Sequence, residues 1–414
     1  MNQQIIEKIV DNNKNILVSG KMMSGKTTNV LFPITEKLIS KKESLFFVDS
    51  KQEYINYYYD KLKENNYNIL IFNLQDLKKS ESWNPLKYPY TLFKNGNIDK
   101  AQEEIEKISN TLCSSIEAAN LVTGLILGLF EDGKETEINF SSIYSMLNEI
   151  NIKYGIDSYL QKYFSLKDKL SPAYIHSYPA IYAYSDSKSD PVKIVREKLQ
   201  FYVSREKLVN FMTDTTFEYE KIIEKPTAIF FIGREDNRTF NTLIGMFVEQ
   251  LFGYLMETEN ARQFNFVLDN IDSIEMVNNL TGMMNAGLTQ NIRFILGTRC
   301  INYLVEKYNS YILNLVDIIT LNKNDIVIKT GGITNIISKE VTNITITKAN
   351  ITYPSLKNTV INIFNLEDCV KTEVKKLIAN NIFIEKSSKL EEQKDLSSIN
   401  KYKLNIAEVC KYKI

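Results

Sequence analysis

Short apolar runs and helically spaced stretches alternate along the first part of the chain. Asn15-Ile16-Leu17-Val18-Ser19 is an apolar run that ends at Gly20 and predicts a strand. From Gly25 to about Ser40 the spacing is helical. Ser44-Leu45-Phe46-Phe47-Val48 predicts a second, buried strand closed by Asp49. Gln52 to Asn65 reads as a helix, and Tyr67-Asn68-Ile69-Leu70-Ile71-Phe72 as a third strand. Strands and helices that alternate through short links imply a parallel sheet.

The pattern changes after about Gly96. From Ile98 to roughly Val203 the apolar spacing is mostly helical. The run Ala118 to Phe130 is shorter than a membrane span and ends in Glu131-Asp132, so it predicts a buried helix. Strand signals return at Thr227–Ile232, Phe264–Leu268 and Arg293–Leu296. The simplest account is an α/β fold in two pieces, residues 1–96 and 206–385, with an all-α insertion at 97–205. A polar, lysine-rich tail at 386–414 is expected to be flexible. No internal repeats are visible.

Composition narrows the function classes. The apolar share of 44% and charged share of 24% are those of a globular protein. Fifty basic side chains balance 50 acidic ones. Zero net charge argues against a free-standing module that neutralises many phosphates on an open surface, though a ring can concentrate positive charge in its pore. Cys113, Cys300, Cys369 and Cys410 stand far apart and read as reduced thiols. With His176 as the single histidine, neither a His/Cys metal site nor a Ser-His-Asp triad can be assembled. No run of about 18 apolar residues occurs, and Met1 to Asn15 is polar and mixed in charge, so a cytoplasmic protein without a transmembrane segment is expected.

One motif carries chemistry. Gly20-Lys21-Met22-Met23-Ser24-Gly25-Lys26-Thr27 fits G-x-x-x-x-G-K-[ST], with a predicted strand before it and a helix after. Such a loop turns its backbone N–H groups onto phosphates at the positive end of a helix dipole. Gly20 and Gly25 permit the close approach, Lys26 reaches the β- and γ-phosphates, and Thr27 supplies a hydroxyl to Mg²⁺. The candidate nucleotide-binding residues are Gly20, Ser24, Gly25, Lys26, Thr27 and Thr28. ATP and Mg²⁺ are the expected cofactors.

Further segments resemble the TraG/TraD-like type IV coupling proteins, the P-loop ATPases of conjugation and type IV secretion. Pro33 falls six residues beyond Thr27, as in that family. Val48-Asp49-Ser50-Lys51-Gln52-Glu53 is similar to its Asp-Pro-Lys-Gly-Glu step after the second strand. Ser82-Trp83-Asn84-Pro85-Leu86 is similar to its Arg/Trp-Asn-Pro-Leu signature. Lys225 to Ile232, then Glu235-Asp236 and Phe240-Asn241, resemble the entry to the second half of the motor. The resemblance spans about residues 10 to 375. It implies a RecA-like P-loop fold with an inserted all-α domain. It also implies ATP-dependent translocation of DNA (single- or double-stranded) or of a relaxase–DNA complex, other type IV secretion components as partners, and a homo-hexamer when active.

The chain departs from the family at several points. Phe266-Val267-Leu268-Asp269-Asn270 has the form of a Walker B strand, with Asp269 placed to hold the Mg²⁺ water shell. The family's next residue is Glu, which deprotonates the attacking water; here it is Asn270, whose amide cannot accept a proton. Asp272 and Glu275 are the nearby carboxylates that could substitute. Gly297 stands where a polar residue is usual after the third of the later strands. The family's arginines before that strand are replaced by neutral residues, which leaves Arg293 and Arg299 as candidate arginine fingers. The family's membrane helices have no counterpart, so the expectation is docking at the inner face of the cell membrane through a partner, or work in a soluble complex. Two readings follow: a translocase, or a nucleotide-binding adaptor with weak or no hydrolysis. Lys26, Asp269 and Asn270 are the candidate catalytic residues, Thr27 and Asp269 the candidate metal ligands. The tyrosines between Tyr54 and Tyr59 read as helix packing rather than a base-stacking platform.

Overall fold

The computed structural model describes residues 3–182, 190–236, 238–274, 277–339 and 344–380; the predicted tail at 386–414 lies outside them. Among the described residues, nine strands form one sheet: β1 (Asn15–Gly20), β2 (Ser44–Val48), β3 (Asn68–Asn73), β4 (Thr227–Ile232), β5 (Phe264–Leu268), β6 (Ile292–Thr298), β7 (Val316–Leu321), β8 (Asp325–Thr330) and β9 (Ile333–Ser338). Their spatial order is β9-β8-β7-β1-β6-β5-β2-β4-β3. From β7 through β3 every neighbouring pair is parallel, and β8 and β9 add antiparallel at the other edge.

The central strands read as unbroken apolar runs because both faces of the sheet are covered. On one face Ile16, Val18, Leu45, Phe47, Phe230, Val267 and Ile295 pack under three helices, α1 (Gln3–Asp11), α2 (Phe32–Ser40) and α3 (Glu53–Glu64). Their neighbours Leu17, Phe46, Val48, Phe231, Phe266, Leu268 and Phe294 point to the other face. There Phe247 is the hub, with ring centroids 5.9 Å from Phe46, 4.9 Å from Phe72 and 5.0 Å from Trp83.

Between β3 and β4 the chain is helical: α4 (Lys87–Lys94), α5 (Ile98–Leu112), α6 (Ile116–Asp132), α7 (Phe140–Asn148), α8 (Tyr159–Ser165), α9 (Pro172–Tyr182), α10 (Pro191–Val203), α11 (Glu206–Thr213) and α12 (Tyr219–Glu224), with a two-residue hairpin at Lys153–Tyr154 and Asp157–Ser158. The apolar run at 118–130 is the buried centre of α6. Helix α13 (Arg238–Met256) lies between this helical stretch and the sheet, followed by α14 (Leu280–Gly287) and α15 (Ile301–Tyr308). One continuous apolar cluster runs from that face of the sheet into the helices. Trp83 is fully buried there, its indole N–H donating to Gln250 (3.0 Å) and Tyr219 (3.3 Å), which satisfies its one polar atom.

Two features differ from the sequence expectation. The strands β7 to β9 extend the sheet beyond those anticipated. The helix expected from Gly25 to Ser40 begins with a π turn, Thr27–Leu31, in which the Phe32 N–H donates to the Thr27 carbonyl. Pro33 explains it: lacking an N–H, it cannot continue α-helical bonding to Asn29, and the wider turn accommodates its ring.

An extended segment at 344–364 crosses the outside of α3. The Ala349 N–H donates to Asn56 Oδ1, the Thr352 N–H to the Tyr59 hydroxyl, and the Leu356 N–H to the Lys78 carbonyl, before the Phe364 N–H reaches Ser142 Oγ on α7. This strap ties the helix that borders the phosphate loop to the helical stretch.

Candidate nucleotide site

The sheet positions the site. β1, β6, β5 and β2 are consecutive neighbours, and their C-terminal ends deliver Gly20, Thr298, Asp269 and Asp49 to one edge. Ligands of open α/β sheets sit at such an edge. The loop at 20–27 leaves β1 there. Its tip turns through Met23 and Gly25, at φ 60° and 80°, the left-handed region that glycine adopts freely. Gly20 is closely crowded: a β-carbon on it would lie 2.6 Å from Ser24 Oγ and 3.2 Å from the Leu321 carbonyl oxygen. That Ser24 hydroxyl is buried and has no hydrogen-bond partner. Lys26 folds back over the loop, its ammonium donating to the carbonyls of Gly20 (2.7 Å) and Lys21 (3.3 Å). Burial depresses the Lys26 pKa, and Asp269 opposes that shift.

Across from the loop, Thr27 Oγ1 donates to Asp269 Oδ2 at 2.7 Å, and the buried Tyr54 hydroxyl donates to the same oxygen at 3.2 Å. The P-loop hydroxyl and the Walker B carboxylate are thus in direct contact. Tyr54 was legible only as a packing residue; its bond to Asp269 joins two elements 215 positions apart. The other tyrosines pack as expected, Tyr57 stacking on Phe32 at 4.7 Å and Tyr58 meeting Phe47.

Asp49 sits one strand over, fully buried, and accepts the Ile55 N–H at 2.8 Å, with the Tyr54 and Glu53 N–H groups also directed at it. Burial pushes its carboxyl up to about 7, and those N–H groups hold it from rising further. Asp49 therefore fixes the N-terminus of α3 at the level of Asp269. The preceding residue, Gln52, is left-handed (φ 57°), at the position where the Asp-Pro-Lys-Gly-Glu step carries glycine.

The remaining candidates separate by position. Asn270 is left-handed (φ 63°), a conformation Asn tolerates, and its Oδ1 accepts from Arg299 Nε at 3.0 Å. Asp272 accepts the Thr298 hydroxyl and the Arg299 N–H, each at 2.8 Å, so its carboxylate is committed to the β6 terminus. Glu275 lies outside the described residues. Gly297 faces Asp269. Arg299 is exposed at the site edge, whereas Arg293 lies at the opposite end of β6, 1% exposed, bonded to Asn265 (2.8 Å), the Val10 carbonyl (2.8 Å) and Glu43 (3.0 Å). Arg293 is a core ion pair and cannot act as a finger. His176 meets Gln102 at 3.2 Å on the helical stretch, remote from the loop in sequence and fold. No group of three His, Cys, Asp or Glu that could hold a metal occurs among the described residues.

Residues 7–367 match the family described as type IV secretory system conjugative DNA transfer. The chain belongs to that family. No curated protein matches it. Among solved structures it is similar to the plasmid coupling protein TrwB in complex with the non-hydrolysable ATP analogue ADPNP (13% identity, 83% of this chain and 90% of that chain, TM-score 0.57). TrwB in complex with ADP and Mg²⁺ gives 13% identity, 83% and 88% coverage and the same TM-score of 0.57. The unbound monoclinic form of a TrwB fragment gives 13% identity, 81% and 86% coverage and a TM-score of 0.55. At this identity the likeness establishes the P-loop NTPase fold. In this chain the Thr27 hydroxyl and the Asp269 carboxylate are in contact, and an amide and a glycine stand at 270 and 297, where the family resemblance leads one to expect a glutamate and a polar side chain. No helix among the described residues is long and apolar enough to cross a membrane.

Proposed function

We propose that this chain is an ATP-dependent translocase of DNA or of a DNA–protein substrate, the motor core of a type IV secretion and conjugation coupling protein. The observation that carries the reading is the 2.7 Å bond between Thr27 Oγ1 and Asp269 Oδ2 at the mouth of a loop whose Ser24 hydroxyl is buried without a partner. Those groups fit a phosphate chain and a divalent ion. Thr27 and Asp269 would hold Mg²⁺ directly or through water. The Gly20–Thr28 backbone, helped by Ser24 Oγ, would cradle the phosphates, and Lys26 would exchange the Gly20 carbonyl for phosphate oxygens. With Thr27 and Asp269 as its protein groups, the metal would take its other ligands from phosphate and water, as Mg²⁺ usually does. When bound, the ion would neutralise charge that develops on the phosphates.

In this reading residues 97–205 form the all-α insertion that meets the relaxase–DNA substrate, and subunits assemble as a homo-hexamer at the inner face of the membrane through a partner. Arg299, exposed beside Asn270, would be the arginine offered to a neighbouring subunit's nucleotide. A second reading, an adaptor whose nucleotide drives assembly without sustained turnover, is favoured by Asn270 itself, an amide held by Arg299.

Equilibrium titration with a fluorescent ATP analogue tests the site. Wild-type protein is expected to bind with Mg²⁺, and K26A and D269A to bind at least about tenfold more weakly, the scale of a lost charged hydrogen bond. Equal affinity in all three proteins would sink the assignment.

A further inference from the structure

We infer that Glu53 is the general base that takes the proton of the attacking water, in place of the glutamate that Asn270 replaces. The inference rests on the nucleotide site proposed above and assigns its missing acceptor.

The argument is one of placement. β2 and β5 are parallel neighbours in register, Phe47 opposite Val267, so the residues that follow the two strands, Asp49 and Asp269, leave the sheet at the same level. Asp49 holds the first N–H groups of α3, and Tyr54 Oη touches Asp269 Oδ2. Glu53 is the first residue of α3, between these two anchors in sequence, and its own N–H is directed at Asp49. It is half-buried, and burial together with the charge of Asp269 and of Glu235 raises its carboxyl above the ordinary range, while Lys51 opposes the rise.

Among the described residues, most other acceptors near the site are committed elsewhere, Glu235 being the exception. Asn270 is an amide. Asp272 is bonded to Thr298 and Arg299. Asp49 is buried against backbone, and Asp236 pairs with Arg234 at 2.6 Å. Glu235 is exposed on the loop after β4. Among the described residues, the Glu53 carboxylate accepts no hydrogen bond and joins no ion pair; only longer-range charge acts on it.

The step balances without another reactant. The water oxygen forms a bond to the γ-phosphorus as the bond to the β–γ bridging oxygen breaks. The water proton passes to Glu53, then to solvent or the departing inorganic phosphate. The bridging oxygen leaves on ADP.

The test uses full-length E53Q and E53D beside wild type and K26A. Affinity for the non-hydrolysable analogue ADPNP with Mg²⁺ is measured first, then turnover across pH 5 to 9, then the identity of nucleotide recovered on the protein after incubation with ATP. Expected are ADPNP affinity within about threefold of wild type, turnover reduced about 10² to 10⁴-fold in E53Q, ATP rather than ADP retained, partial recovery in E53D, and loss of the acid limb of the pH profile. E53Q turning over at the wild-type rate overturns the inference. So does an affinity loss that accounts for the whole drop, which would make Glu53 a scaffold of α3. Wild-type protein that binds ADPNP but hydrolyses nothing overturns the inference and leaves the nucleotide site standing. Wild type that binds no ADPNP overturns both.

Discussion

A β-carbon built on Gly297 lies 2.5 Å from Oδ1 of Asp269. The end of β6 therefore approaches the Asp269 carboxylate so closely that a side chain at 297 would press on the group that bonds Thr27. The glycine read from sequence as a lost polar residue is, in the fold, what lets Asp269 stand upright beside the P-loop. G297A is expected to cost about 1–3 kcal/mol of stability, the range for forcing atoms into a packed site. It is also expected to weaken Mg²⁺-dependent nucleotide binding more than Mg²⁺-free binding. Urea unfolding and analogue titration with and without Mg²⁺ check both.

Arg293 and Arg299 should part company under mutation. R293A leaves Glu43 without its buried partner and is expected to destabilise the fold by about 3–5 kcal/mol. R299A, at an exposed side chain, is expected to change stability by less than about 0.5 kcal/mol while lowering turnover in the assembled protein. Urea midpoints for both variants, set beside turnover below the unfolding transition, decide the matter.

The contribution of two buried carboxyls to stability should fall as pH rises from 4 toward 7. Burial raises Asp49 and Glu249 each to about 7, so in that window the folded state binds more protons than the unfolded chain. Their contribution is complete below the unfolded carboxyl range and is lost as pH passes through 7. Denaturant unfolding at pH 5 and pH 7.5 should show a shallower pH dependence in D49N and E249Q than in wild type. An unchanged slope in both variants would contradict the assignment of these carboxyls as buried proton carriers.

Glu249 also links the site to the helices. Its Oε1 accepts the Asn278 N–H from the segment after the Walker B strand, and Oε2 accepts from the Thr111 hydroxyl on α5 (3.3 Å). Glu249→Ala is expected to uncouple DNA stimulation from nucleotide binding, leaving analogue affinity near wild type while reducing any stimulation of turnover by DNA.

The sheet's central strands were legible because burial on both faces demands continuous apolar runs, as in Leu45-Phe46-Phe47-Val48. β7 to β9 were not, because at the edge of the sheet one face is only half-covered. Asp317, buried in β7, and the Asn322–Asp325 turn break the apolar signal, although Ile319, Leu321, Ile326 and Ile328 keep the period of two. The P-loop and Asp269 could be read from spacing alone, since a strand–loop–helix step leaves their chemistry little freedom. The roles of Tyr54, Gly297 and Arg293 could not, because each depends on a partner brought near only by the strand order. Pro33 was legible as a match to the family's spacing; that the chain answers it with a π turn is a backbone solution no residue pattern announces.

The central claim is that ATP turnover at this site is coupled to DNA. ATP hydrolysis by purified protein with Mg²⁺ should be measured alone, with single-stranded DNA and with double-stranded DNA, beside K26A. The expected result is turnover that DNA stimulates and that K26A abolishes. Tight Mg²⁺-dependent ATP binding with no turnover under any of these conditions would contradict the motor and leave a nucleotide-binding adaptor.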